Sequence, residues 1–148
     1  AALELLGQSS VGTIYLVDSY GSLYPEQARR LADKYLEVAD KYNKKVGIHA
    51  HNNQQLAFAN TSEVVIMGVS YLDATVSGMG RGCGNCPSEL LLGFLKNPKY
   101  NINPILHFIE EQIVPLRESG VTWGYDVPYL KENRKDYYEF YLELLESF

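Results

Sequence analysis

The sequence predicts an α/β fold in which a parallel sheet is covered by helices, and three observations carry that expectation. Short, continuously apolar runs alternate with longer amphipathic stretches, and each short run ends in polar residues. A content of 46% hydrophobic and 21% charged residues is the balance of an ordinary globular chain. Strands that alternate with helices imply βαβ units, whose crossovers lay helices over the sheet.

The first strand is Thr13-Ile14-Tyr15-Leu16-Val17, β-branched, aromatic and apolar throughout, which is how a strand buried on both faces reads. Asp18-Ser19-Tyr20-Gly21 turns the chain, and Pro25 opens a helix to about Tyr42, with Ala28, Leu31, Ala32, Tyr35, Leu36 and Ala39 at three- and four-residue steps. Val46-Gly47-Ile48-His49-Ala50 is the second strand; after His51-Asn52-Asn53 a helix is expected from about Gln54 to Met67, stopped by Gly68. The third round is Tyr71 to Val76, a glycine-rich loop from Ser77 to Asn85, and a helix from Pro87 to about Lys96. Ala1 to Leu6 reads as the tail of another helix. After Asn97-Pro98 the rhythm changes, and Pro104 to Glu118 and Arg134 to Glu146 read as two helices. The expected organisation is therefore a sheet unit over residues 1–98 and an α-helical extension over 99–148, anchored through Trp123, Tyr125 and Tyr129.

Thirteen Lys and Arg against 18 Asp and Glu give a net charge of −5, which argues against nucleic acid or an anionic membrane as partner. No apolar run approaches the roughly 18 residues that span a bilayer, and Ala1-Ala2-Leu3-Glu4 lacks the features of a signal peptide. A soluble, cytoplasmic chain is the expectation. Two cysteines, Cys83 and Cys86, are too few for a disulfide framework and are expected to be reduced.

In parallel α/β architectures ligands bind at the carboxyl ends of the strands. Those ends carry Asp18 and Ser19, then His49 and His51, then Asp73 and Thr75. Histidines at i and i+2 on an extended segment project from one face, so two imidazoles can converge on one ion; the alternative is a pair of satisfied polar residues. Asp18 and Asp73 could act as acid or base, orient a ligating histidine, or cap the following helix. The loop carrying Gly78, Gly80, Gly82 and Gly84 could cradle an anion, with Arg81 its fixed positive charge, or simply make a tight turn. It is neither a Walker A loop nor a GxGxxG fingerprint. Cys83-Gly84-Asn85-Cys86 admits a redox dithiol, a structural zinc completed by His49 and His51, or, the favoured reading, small buried loop residues. His107 reads as helix surface or packing.

Taken together, His49-Ala50-His51-Asn52-Asn53, Leu56-Ala57-Phe58-Ala59-Asn60, Asp73-Ala74-Thr75 and the loop from Gly78 to Glu89 resemble the late strands of the HMG-CoA lyase-like metallolyase barrels. Val114-Pro115-Leu116 and the stretch from Trp123 to Tyr129 are similar to its aldolase members, of the 4-hydroxy-2-oxovalerate type. The resemblance implies that the strands are the sixth, seventh and eighth of a TIM (β/α)₈ barrel. It also implies that His49 and His51 bind a divalent metal (Mn, Mg or Zn) and that Asn85 reaches it. Asp18, Ser19, Asp73 and Thr75 are further candidates for metal or substrate contact. The aspartate and arginine that the family places on its first strand have no counterpart in these residues.

The implied chemistry is Lewis-acid cleavage of a carbon–carbon bond in a 2-oxo acid through an enolate. Claisen condensation with an acyl-CoA is the runner-up, and a non-catalytic half-barrel or a zinc module is the alternative of another class. A closed barrel takes about 250 residues, so three rounds fill only part of one, and the absence of an initiator Met also suggests a partial chain. The expectation is a three-stranded sheet with an exposed edge, inactive alone and completed by a homo-oligomer or by a missing N-terminal half.

Overall fold

A computed structural model describes residues 2–97 and 99–125. Its elements run α1 (Ala2–Gln8), β1 (Thr13–Asp18), α2 (Pro25–Tyr42), β2 (Lys45–Ala50), α3 (Ala57–Ile66), β3 (Tyr71–Asp73), a 3₁₀ turn (Val76–Gly78) and α4 (Ser88–Leu95). The extension follows as α5 (Asn103–Phe108), a π-helical turn (Ile109–Ile113) and α6 (Val114–Glu118). The sheet is parallel in the order β1-β2-β3, with Val17 opposite His49, Asp18 opposite Ala50, and His49 opposite Asp73. No helix of the described residues is long and apolar enough to cross a membrane.

Helix α2 begins where the sequence places it because Pro25 supplies a preset φ at the first turn, and the Gln27 side chain accepts the Tyr24 amide at 2.8 Å. Asn43 closes it in the left-handed region, φ 52°. Helix α3 starts three residues later than the expected Gln54. Asn52 Oδ1 takes the Ala57 amide at 3.1 Å, the Gln54 amide bonds Gly21 and Gln55 adopts φ 59°, so 52–56 is a capped turn. Strand β3 is likewise shorter than the expected run to Val76. Past Asp73, the Thr75 amide bonds the Cys86 carbonyl and its own carbonyl takes the Ser88 amide, so the returning loop replaces a sheet neighbour.

Pro115 accounts for the π-helical turn within the expected Pro104–Glu118 helix. A proline lacks the amide for the i−4 bond and its ring crowds that carbonyl, and the turn just before it widens. The expected helix from Arg134 to Glu146 and the anchor Tyr129 lie outside the described residues.

The core lies on one face of the sheet. Ile14, Leu16, Val46, Ile48 and Ala50 pack beneath Ala28, Leu31 and Ala32 of α2, Ala57 and Val64 of α3, and Leu91 of α4. The opposite face corrects the expectation of strands buried on both sides: Tyr15 is 36%, Val17 41% and Tyr71 48% exposed. Among the described residues these side chains are only partly covered.

Candidate metal centre

His49 and His51 stand on the uncovered face at the carboxyl end of β2. The two-residue period directs both rings the same way, with Nε2 to Nε2 at 3.3 Å and the rings edge to face, centroids 5.0 Å apart. Nitrogens bound to one ion at about 2.1 Å, at roughly tetrahedral or octahedral angles, lie about 3.0–3.4 Å apart, so the pair has the spacing of a chelate. Burial first, then the charges of His49 and Arg81, hold the His51 pKa below its usual value, which favours the neutral imidazole that ligates metal.

The candidates divide by strand parity. Asp73, opposite His49, accepts from or ion-pairs with its Nδ1 at 3.2 Å. Asp18 sits on the covered face instead, where its carboxylate accepts the Ser22 and Leu23 amides at 3.1 Å each. Burial raises its pKa against those hydrogen bonds. It stabilises the turn ahead of α2 and does not join the histidines, nor does it cap the helix itself. Ser19 is exposed at the end of β1. Thr75 Oγ1 is buried without a hydrogen-bond partner among the described residues, and its backbone bridges to Pro87.

Asn85 is brought beside the pair by a backbone bridge to His51. Its Nδ2 donates to the Met79 carbonyl at 3.1 Å, while Oδ1 is buried with no partner among the described residues. A buried amide oxygen left unpaired is costly, and a cation or a water relieves it. Two facing imidazoles and this oxygen suit a divalent ion. Among the described residues no three His, Cys, Asp or Glu side chains form a metal cluster, so the donor set is partial.

The glycine loop behaves as a tight turn. The amides of Gly78, Met79, Gly84 and Asn85 are bonded to carbonyls of Thr75, Val76, Arg81 and Gly78, which closes the turn at both its ends. Gly84 has φ 79°, and a Cβ there would collide with the Gly78 carbonyl. Trp123 of the extension anchors on this loop, donating Nε1–H to the Ser77 carbonyl at 2.9 Å under the Arg117 guanidinium, 4.3 Å from its ring. A cavity of about 360 Å³ opens between Gly82 and the 122–125 segment.

Cys83 and Cys86 are free and buried. Burial pushes the Cys86 thiol up to about 11 and raises Cys83 as well, the opposite of a reactive dithiol. They form no metal cluster with the histidines, which leaves the small-loop-residue reading. His107 is exposed and pairs with Glu111 at 3.1 Å along its own helix.

Sequence reasoning passed over two residues on the histidine face. Burial, and after it the nearby Asp73 charge, raise the Tyr15 hydroxyl pKa, and Gly47 lies beneath its ring. A glycine inside a strand is the signal that could have found them, since it marks a close approach.

Residues 2–111 match the family model described as HMGL-like. The chain is 39% identical over 127 residues to 4-hydroxy-2-oxovalerate aldolase of Thermus thermophilus, covering 76% of this chain and 35% of that protein. It is 42% identical over 86 residues to oxaloacetate decarboxylase of Mycobacterium tuberculosis, covering 58% of this chain and 25% of that protein. Among solved structures it is similar to the N-terminal domain of a Bacteroides vulgatus protein assigned as an aldolase, with a TM-score of 0.68 and 29% identity over 91% of this chain and 45% of the other. The chain thus spans only a minor part of the length of the curated relatives it matches.

Proposed function

The chain belongs to the HMGL-like family and its sheet is a portion of a (β/α)₈ barrel, and from that premise we propose that it supplies the histidine side of a divalent-metal lyase site acting on a 2-oxo acid. The observation that carries the reading is the pair of imidazole nitrogens 3.3 Å apart at the carboxyl end of β2. Mn, Mg or Zn held by His49 and His51, with Asn85 as a further oxygen donor, supplies Lewis-acid polarisation of a keto oxygen.

The chain's own residues set the conditions for that chemistry. Burial, then the charges of His49 and Arg81, lower the His51 pKa and so favour its neutral ring. Arg81, close enough to influence His51, contributes positive charge where a substrate carboxylate approaches. Trp123 fastens the extension to the glycine loop. Aldol cleavage is the first reading, since an aldolase and a decarboxylase are both similar to this chain and both act on 2-oxo acids by their names. Condensation with an acyl-CoA is second.

The missing donors and the bare sheet face support a site completed by further barrel strands, from another segment or a second copy, in a cytoplasmic enzyme. Exchange of solvent deuterium into the methyl group of pyruvate, followed by NMR, tests the half-reaction. With Mn²⁺, exchange is expected from the completed barrel, lost in His49→Ala and His51→Ala, and absent from residues 1–148 alone. Undiminished exchange in the double variant contradicts the assignment.

A further inference from the structure

We propose that Asp73, braced by Tyr15 across Gly47, is a positioning residue that fixes the tautomer of His49 and thereby aims its Nε2 lone pair at His51. The metal-affinity part rests on the proposed role of the two histidines as ligands; the tautomer part does not.

The geometry is specific. A carboxylate oxygen can only accept, so the 3.2 Å contact between Asp73 Oδ2 and His49 Nδ1 places the ring proton on Nδ1. A neutral ring then carries its lone pair on Nε2, the atom that faces His51 at 3.3 Å. Without Asp73 the proton is free to sit on Nε2, where it would block the chelating position. Parallel register makes the arrangement rigid, because His49 and Asp73 are direct partners on adjacent strands.

Tyr15 extends the device across the whole sheet. It lies on β1 and Asp73 on β3, two strand spacings or roughly 9.6 Å apart, yet the Asp73 charge is near enough to add to burial in raising the Tyr15 hydroxyl pKa. Tyr15 comes this close by lying over Gly47 of the intervening strand, where a Cβ would stand 2.5 Å from the Tyr15 ring. Any other residue at position 47 would lift the ring away. A half-exposed Asp73 thus has a direct contact to His49 on one side and the Tyr15 hydroxyl within electrostatic reach on the other. Such outer partners of ligating histidines set ring orientation and basicity.

The test is a long-range ¹H–¹⁵N spectrum of His49 in the intact chain above pH 8, together with Co²⁺ titration. Wild type should show the Nδ1–H tautomer. Asp73→Ala should shift it toward Nε2–H and weaken Co²⁺ about 10–100-fold. Asp73→Asn, which keeps an acceptor, should lose less, and Tyr15→Phe and Gly47→Ala should give intermediate spectra with melting curves near wild type. An unchanged His49 spectrum in Asp73→Ala overturns the proposal even if affinity falls. Unchanged Co²⁺ affinity in Asp73→Ala, with affinity abolished in His49→Ala, overturns it as well. If His49→Ala retains Co²⁺, the ligand assignment fails instead, and the spectrum alone decides the tautomer claim.

Discussion

The two faces of one three-stranded sheet are built to different rules. Toward the helices, Ile14, Leu16, Val46, Ile48 and Ala50 are buried and close-packed, and the polar Asp18 among them has its carboxylate bonded to two amides. On the other side Tyr15, Val17 and Tyr71 stand partly in solvent beside His49, His51 and Asp73. The covered face holds the fold, and the open face carries the candidate site. Apolar side chains left on the open face are what a barrel interior looks like when only some of its strands are present.

The sharpest way to break this comparison is to truncate matched residues on each side. Ile48→Ala should cost about 2–5 kcal/mol, the usual loss for a buried aliphatic chain, whereas Val17→Ala should cost under about 1 kcal/mol. Urea denaturation measures both, and equal losses would mean that the open face is covered after all.

Asp18→Ala comes next. It leaves the Ser22 and Leu23 amides without their acceptor, for about 1–3 kcal/mol, and should leave Co²⁺ affinity alone because the residue points the other way. Its pH signature has a definite sign. Burial raises its folded pKa above the ordinary 3.8, so the folded state holds that proton more tightly. The resulting stabilisation is complete below about pH 3.8 and is lost as pH rises through the raised value. Denaturation midpoints across the acid range should show that slope in wild type and a flatter one in Asp18→Asn.

The smallest effect should come from the cysteines. With thiols buried and Cys86 near 11, Cys83 and Cys86 should react with Ellman's reagent far more slowly folded than unfolded, and Cys83→Ala/Cys86→Ala should keep its affinity for Co²⁺. Loss of the ion in that variant would restore the zinc module.

Much of the covered face was legible in the sequence, for a physical reason. Leu31, Ala32 and Ala39 recur at helical spacing and Ile14 and Leu16 lie in an apolar run, patterns that burial imposes directly. The strand ends were harder. Helix α3 starts at Ala57 because the Asn52 side chain caps it, a contact that periodicity does not encode. Strand β3 stops at Asp73 because Cys86 and Ser88 return to Thr75, a pairing made through a loop. At the site, the spacing of His49 and His51 announced a convergent pair, and parity alone could have set Asp18 apart from Asp73. The link from Tyr15 to Asp73 stayed hidden because it joins the first strand to the third over a glycine, and neighbouring letters carry no trace of it.

The central claim is that His49 and His51 jointly hold one divalent ion on the open face. Calorimetric titration of Mn²⁺ into wild type and into the His49→Ala, His51→Ala and double variants tests it most directly. The account predicts one site in wild type, severe weakening in each single variant and no further loss in the double. Undiminished one-site binding in the double variant would contradict it.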